Sequence, residues 1–312
     1  MAETIVLGTR GSELARAQAR LVEKAIQTVR PELQIETKII ATKGDKRKAV
    51  DRRAGRKGLF TAEIEQALLA GDVDVAVHSA KDLPSETSPG VEIAAVLSRA
   101  PMDDVLVSKH PGGWPSLPRG ATIATGSVRR KRQLLWKRKD LQLVDLRGNV
   151  PTRLRKLADN DWDAIVLARA GLERLGLTPA RNEISFEGRQ FFPEILPSEI
   201  FLPAGGQGII ALQVRDNDET TTAIIDLVND RETLLCLRAE REFLRLLNVD
   251  CNAPVGVLAG IDNGVMKMRA QFFMNESAPP WRAAVAGIPD DCEPLASQLL
   301  DRLRARYEHE QE

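Results

Sequence analysis

Cysteine is scarce: the chain of 312 residues has three, at positions 236, 251 and 292. An odd, scattered set excludes a disulfide framework, and the absence of a CxxC pair removes a common zinc spacing. The three histidines, His78, His110 and His309, stand at no ligand spacing to those cysteines, so no metal site is expected. Net charge is lacking too, with 44 basic residues against 44 acidic ones. A generic nucleic-acid or membrane-surface binder carries a basic excess, and aromatics at 4% are few for stacking on unpaired bases. No apolar run is long enough to cross a bilayer. The start, MAETIVLGTRGSE, has no cationic segment followed by a long apolar one, so no export signal is expected. A nucleotide cradle is missing as well: no GxGxxG follows the first strand-like run, no GxxxxGK[ST] appears, and GGQG at 205–208 has the wrong spacing. These absences leave a cytoplasmic globular protein with no membrane or nucleic-acid partner, in which an anion site is a local concentration of cations.

Hydrophobic residues at 43% and charged residues at 28% suffice for two or three domains with cores of their own. Short β-branched runs alternate with amphipathic stretches, the βαβ signature of a parallel sheet. TIVLGT, IETKIIA and VDVAV read as strands, with helices in SELARAQARLVEKAIQTV, capped by Ser12, and LFTAEIEQALLAG. KGDKRKAVDRRAGRKG reads as a cationic surface loop. A second series has strands ATIAT, LQLVDL and DAIVLA, a helix VRRKRQLLWKR and a loop GGWPSLPRG. Residues 178–204 read as irregular, and GIIALQVR as a returning strand. From about residue 219 two helical stretches precede VGVLAGI, VMKMRAQFF and WRAAVAG, and a last helix follows. That order predicts a separate α+β domain.

Open parallel sheets bind ligands beyond the carboxyl ends of their strands. Arg10 and Ser12 follow the first strand, and Ser79, Lys81 and Asp82 follow VDVAV. Thr125, Ser127, Arg129 and Arg130 follow ATIA; Arg147 follows LQLVDL, with Arg153 in the next turn; Arg169 and Arg174 follow AIVLA. Each alone has an ordinary reading: a solvated arginine, a helix cap, or a Lys81–Asp82 surface ion pair worth little. Together they point to a cleft for a ligand with several carboxylates or phosphates. Guanidinium groups bind carboxylates bidentately, and the helix N-terminus at Ser127 favours anions.

The motifs HSAKDLP, GSVRR, LRGNVPTRLRKL, LARAGLERLGL, LPAGGQG and DCNAPVG, with TRGSELARAQA and KGLF, resemble the porphobilinogen deaminase (hydroxymethylbilane synthase) family over nearly the whole chain. The resemblance implies an α/β fold: two periplasmic-binding-protein-like (type II) lobes with parallel-rich sheets and a smaller C-terminal α+β domain. Its divisions would be domain 1 at 1–98 and 207–226, domain 2 at 99–206 and domain 3 at 227–312. It implies a monomeric transferase that condenses four porphobilinogen molecules, with loss of ammonia, into the linear tetrapyrrole hydroxymethylbilane. It further implies a dipyrromethane cofactor, held by a thioether to Cys251. Asp82 matches the catalytic aspartate. Lys81, Asp82, Ser127, Arg129, Arg130 and Arg153 match the cofactor's binding residues. Arg10, Ser12, Arg147, Arg153 and Arg174 match those for substrate, and Ser79, Lys57 and Phe60 a supporting or lid role.

Every pyrrole ring of such a ligand carries an acetate and a propionate, so an arginine-rich cleft in a neutral protein suits it. One carboxylate beside the pyrrole nitrogens can stabilise the electron-poor azafulvene and the cationic pyrrolenine, and can move protons at the reacting carbon. Cys236, in an apolar helical stripe, and Cys292 read as structural. The sequence departs from the family at ATGSVRR, commonly GTSSLRR, and at VDC, usually GGC. The basic loop at 43–58 and the long stretch SFEGRQFFPEILPSEIF are further departures. A different class, a two-lobed organic-anion binding protein without catalysis, would need the cations but not Asp82 together with Cys251.

Overall fold

The computed structural model describes residues 4–42, 61–179, 182–248, 253–274 and 279–309. Strand β1 (Thr4–Arg10) buries Ile5 and Leu7. Ser12 then caps helix α1 (Glu13–Val29), its hydroxyl oxygen accepting from the Ala15 N–H at 3.2 Å, a donor that the helix itself leaves unserved. Ala15, Ala19, Val22 and Ile26 recur at helical spacing and are buried, which gives α1 the apolar stripe that seats it on the sheet. β2 (Gln34–Ile40), α2 (Ala62–Leu69), β3 (Val75–Ser79) and β4 (Val91–Val96) follow.

A second sheet is built from β5 (Asp104–Ser108), β6 (Thr122–Ala124), β7 (Gln142–Val144), β8 (Ala164–Ala168), β9 (Ile184–Phe186) and β10 (Arg189–Leu196), with helices α3 (Val128–Lys137) and α4 (Val150–Asp159) between strands. Its order is β7-β6-β8-β5-β10-β9. β11 (Ile210–Arg215) then crosses back and completes the first sheet, β2-β1-β3-β11-β4. β1–β2, β1–β3, β6–β7 and β6–β8 pair in parallel, as the βαβ pattern predicts. β11 is antiparallel to β3 and β4, and β5 to β8 and β10, so both sheets are mixed. β5 and β11 are the strands that arrive from the other lobe. Each enters at the seam where its parallel neighbours end, and therefore runs against them.

The stretch expected to be irregular is a β-hairpin. β9 and β10 join through Glu187 and Gly188, both at positive φ (51° and 74°), the two-residue turn whose twist matches paired strands. β10 then pairs along β5 from Phe192↔Ser108 to Leu196↔Asp104. Pro193 inside β10 breaks the local strand signal, because proline seldom sits in a ladder. That hairpin accounts for the long stretch after residue 184. β4 and β5 are not among the strands the sequence predicts either.

After α5 (Glu219–Asp226), helix α6 (Arg231–Leu247) and helix α7 (Cys292–His309) pack with a three-stranded antiparallel sheet of β12 (Val255–Asp262), β13 (Val265–Phe272) and β14 (Trp281–Gly287). Phe243, Val257, Met266, Met268 and Leu299 form its buried core, each such side chain contributing about 1.5–3 kcal/mol. Cys236 and Cys292 belong to the same core, and burial pushes the Cys236 thiol up to about 12, which fits a structural role for it. Two buried contacts tie this unit to the lobes. Glu240 accepts from Arg99 Nη1 (2.6 Å), the Gly206 N–H (2.6 Å) and the Ala259 N–H (2.8 Å). Gln133 on α3 donates to Gln271 Oε1 on β13 at 2.8 Å.

Candidate active site

β3 ends at Ser79, and a single 3-10 turn, Ala80–Asp82, carries the next polar groups toward the second lobe. Ser79 faces α1, where Gln18 Nε2 donates to its hydroxyl at 2.8 Å; it braces the turn. Gly206 presses on the turn from beneath at φ +72°, where a Cβ would stand 3.0 Å from Lys81 N; any other residue would force the turn away. Lys81 is partly buried and donates to Gln207 Oε1 at 3.4 Å. Burial, with Arg130 and Arg153 nearby, pushes its amine down to about 8 against the pull of Asp82 and Asp104. Asp82 is exposed at the end of the turn. Lys81 and Asp82 form no ion pair among the described residues, so the plain surface pair is not what the structure contains. His78 lies buried on the opposite face of β3. Burial holds it neutral, with a pKa lowered to about 4, and it adds no charge to the cleft.

The second lobe supplies the facing cations. Ser127 caps α3, its oxygen accepting from the Arg130 N–H at 3.4 Å. The capping readings of Ser12 and Ser127 therefore hold, and in each the cap uses an oxygen lone pair, leaving the hydroxyl proton to be donated. Arg129 and Arg130 are both buried and share one carboxylate, Asp104, at 2.9 and 2.6 Å. Arg129 Nη1 also reaches the Leu202 carbonyl (2.6 Å) and Gln133 (3.0 Å), so it is as much a brace toward the third domain as a cleft residue. Arg130 Nη1 donates to the Val166 carbonyl at 2.8 Å, while its Nε is buried with no hydrogen-bond partner. Arg153 Nε donates to the Gly148 carbonyl at 2.6 Å, and burial pushes Arg153 down to about 10. Arg147 is exposed in the loop after β7. Gly126, where the family commonly has serine, lets that loop approach: a Cβ there would stand 2.6 Å from the Leu146 carbonyl. Arg174 bridges the lobes, donating to the Gly208 carbonyl at 2.6 Å, and burial pushes it down to about 10. Arg10 ends β1 on the first-lobe side and is close enough to His78 to disfavour its charge.

Charge balance separates these side chains from other arginines. Arg99, Arg169 and Arg215 are ion-paired with Glu240, Glu173 and Asp218; the strand-end Arg169 is thereby neutralised. Lys81, Arg147, Arg153 and Arg174 form no ion pair with any described residue. Lys81 and Arg147 each lie close enough to Arg153 to repel it, and partial burial raises the cost. A ligand with several carboxylates removes it. A cavity of about 570 Å³ lined by Leu69, Gly90, Arg215 and Asp218 lies at the other end of the first sheet, and its arginine is already paired. Among the described residues no cluster of His, Cys, Asp or Glu could hold a metal.

A sequence profile described as "Porphobilinogen deaminase, dipyromethane cofactor binding domain" matches residues 5–223, and one for the C-terminal domain of that enzyme matches residues 234–305. The chain belongs to the porphobilinogen deaminase family. It is 42% identical over 301 residues to the porphobilinogen deaminase of Syntrophomonas wolfei, covering 96% of this chain and 93% of that one. It is 42% identical over 306 residues to that of a Roseiflexus species, covering 97% and 96%. Among solved structures, the methionine binding protein MetQ is similar at a TM-score of 0.45 and 14% identity, over 74% of this chain and 92% of that one; a likeness so loose adds nothing to the sequence relationship. Porphobilinogen deaminases are transferases of tetrapyrrole biosynthesis with a dipyrromethane cofactor, and these relationships do not favour the binding-protein reading. The residues present fit that cofactor. Arg130 Nε, without a hydrogen-bond partner, and the cationic Lys81 and Arg153, in no ion pair with a described residue, could each pair with a carboxylate of such a group. Cys251, Lys57 and Phe60 lie outside the described residues. No described helix is long and apolar enough to cross a membrane.

Sequence reasoning missed Asp104 and Gln207. Gln207 Nε2 donates to Asp104 Oδ1 at 2.9 Å while its Oε1 accepts from Lys81. The available signals were weak: an acidic pair directly ahead of the apolar run VLV, and a glutamine set between glycines.

Proposed function

We propose that Asp82 is the carboxylate at which the bonds change. Lys81, Ser127, Arg129, Arg130 and Arg153 hold the cofactor's carboxylates, with Arg129 acting largely through Asp104. Arg10, Ser12, Arg147, Arg153 and Arg174 hold those of porphobilinogen and the growing chain. The cofactor's thioether belongs to Cys251, and Lys57 and Phe60 to the closing of the site; both assignments rest on the family resemblance. The observation that carries the reading is the exposed Asp82 carboxylate among cations that no described residue neutralises.

When bound, the dipyrromethane supplies the ring carbon to which the first substrate is joined. Arginines and Lys81 orient each porphobilinogen by its acetate and propionate, which converts an encounter into a positioned reaction. As the substrate's C–N bond breaks and ammonia leaves, positive charge develops on the pyrrole nitrogen, and the Asp82 carboxylate stabilises it. After the new C–C bond forms, the same carboxylate takes up the proton released at the coupled carbon. The chain acts as a cytoplasmic monomer, as family resemblance suggests, and sedimentation would test that state. For the reaction, incubation with porphobilinogen should release one ammonia for each molecule consumed and yield a linear tetrapyrrole. Uptake without ammonia would leave binding alone.

A further inference from the structure

Asp104 begins β5, where the chain enters the second lobe, and it is fully buried. Its Oδ1 accepts from Arg130 Nη2 (2.6 Å) and Gln207 Nε2 (2.9 Å), and its Oδ2 from Arg129 Nη1 (2.9 Å). Gln207 lies on the connector returning to the first lobe. Its Nε2 also donates to the Met102 carbonyl at 2.7 Å, and its Oε1 accepts from Lys81 Nζ at 3.4 Å. The Gly206 N–H bonded to Glu240 at 2.6 Å pins the loop that carries it. One carboxylate therefore touches Arg130 of the second lobe directly and Lys81 of the first lobe through a single amide.

Resting on the reading that Lys81 and Arg130 hold ligand carboxylates, we propose that Asp104 and Gln207 are positioning residues that fix the Lys81 ammonium and the Arg130 guanidinium relative to each other across the seam between the lobes. The chemistry of each partner suits that task. Lysine and arginine stems are flexible, and a charge held beforehand loses less freedom on binding. Asp104 neutralises only one of its two arginines, and it grips Arg130 by Nη2 while Val166 grips Nη1, leaving Nε for a ligand. Gln207 is a neutral acceptor, so it holds Lys81 without cancelling its charge. The charged groups facing Lys81 are Asp82, Arg130, Asp104 and Arg153; Asp104 is kept ionised by its two arginines, which hold its carboxyl far below the usual carboxylate range.

The test uses purified wild type, Asp104→Asn, Gln207→Leu and Gln207→Glu. It reads the adduct-bearing fraction by intact mass, kcat and KM for porphobilinogen, and the pH midpoint of Lys81 reductive methylation by peptide mass spectrometry. Gln207→Leu should melt cooperatively and raise KM about tenfold, the scale of one charge-assisted hydrogen bond, with a smaller change in kcat. Gln207→Glu should move the Lys81 midpoint up, and Asp104→Asn should move it down, because one adds and the other removes a facing anion. Asp104→Asn should also lower the adduct-bearing fraction. A merely structural role would lower melting temperatures while leaving KM and the Lys81 midpoint of the folded variants at wild-type values, and that result overturns the proposal. So does failure of both Asp104→Asn and Gln207→Leu to fold. A wild-type protein with no adduct and no consumption of porphobilinogen would instead contradict the functional reading, and the Lys81 midpoints would still decide whether Asp104 and Gln207 act on that amine.

Discussion

Replacing Lys81 with glutamine should make the cofactor-free chain more stable while impairing its uptake of cofactor. Burial and the neighbouring Arg130 and Arg153 lower the amine from an ordinary 10.5 to about 8. Fully expressed, that interval corresponds to about 3 kcal/mol; the side chain is partly exposed, and solvent screening leaves about 1–2 kcal/mol. The folded-state value lies below the unfolded one, so between pH 8 and 10.5 the unfolded chain holds more of this proton. The cost is complete below pH 8 and fades as pH rises through that window. Lys81→Gln should thus raise the melting temperature at pH 7 by about 2–4 °C, with the gap to wild type closing near pH 10.5. Calorimetry on protein produced without a porphobilinogen supply measures this, and intact mass after addition of porphobilinogen shows the accompanying loss of uptake. Equal melting temperatures at pH 7, or a gap that does not change with pH, would show that the folded chain does not depress this amine.

Asp82→Asn keeps the shape of the turn but removes its charge; cofactor assembly should persist while single-turnover adduct formation slows by at least about 10²-fold, and a loss confined to affinity would assign Asp82 to binding. Arg130→Leu should give protein without cofactor and of lower melting temperature, because bound cofactor no longer favours the folded state. Arg147→Leu should keep the adduct but elongate poorly, at a cost of about 1.5–3 kcal/mol per lost contact; mass spectra of the two proteins distinguish these outcomes. Gly126→Ser restores the family's common residue, yet its Cβ meets the Leu146 carbonyl at 2.6 Å. It should therefore displace Arg147 and raise KM for porphobilinogen, and an unchanged KM would show that the loop yields freely.

The strands whose ends bear the site were readable because each is a short apolar run, and all but β3, which ends in a 3-10 turn, lead into a helix. The polar groups behind Ser79, Ala124 and Ala168 came with them, since the end of a strand is a local property. The type of Asp104 was visible, but its meaning was not: its partners Arg129, Arg130 and Gln207 lie 25, 26 and 103 residues away. The second sheet, which sets β5 two strands from β6, brings the arginines to it, and the crossing of the chain between lobes brings Gln207. β10 was hidden for another reason. Pro193 and the run of charged and aromatic residues conceal an alternation that becomes favourable once β5 offers its edge. Capping by Ser12 and Ser127 is compatible with ligand contact, since a hydroxyl can accept from a helix N–H and donate its own proton.

The most direct measurement is the intact mass of the purified protein, followed by mapping of the modified peptide. The mass should exceed that of the sequence by two condensed porphobilinogen units, located on the peptide that contains Cys251, and Cys251→Ser should return it to the bare value. A protein of bare mass that nevertheless converts porphobilinogen at full rate would contradict the reading of the cleft as a seat for a covalently held polycarboxylate.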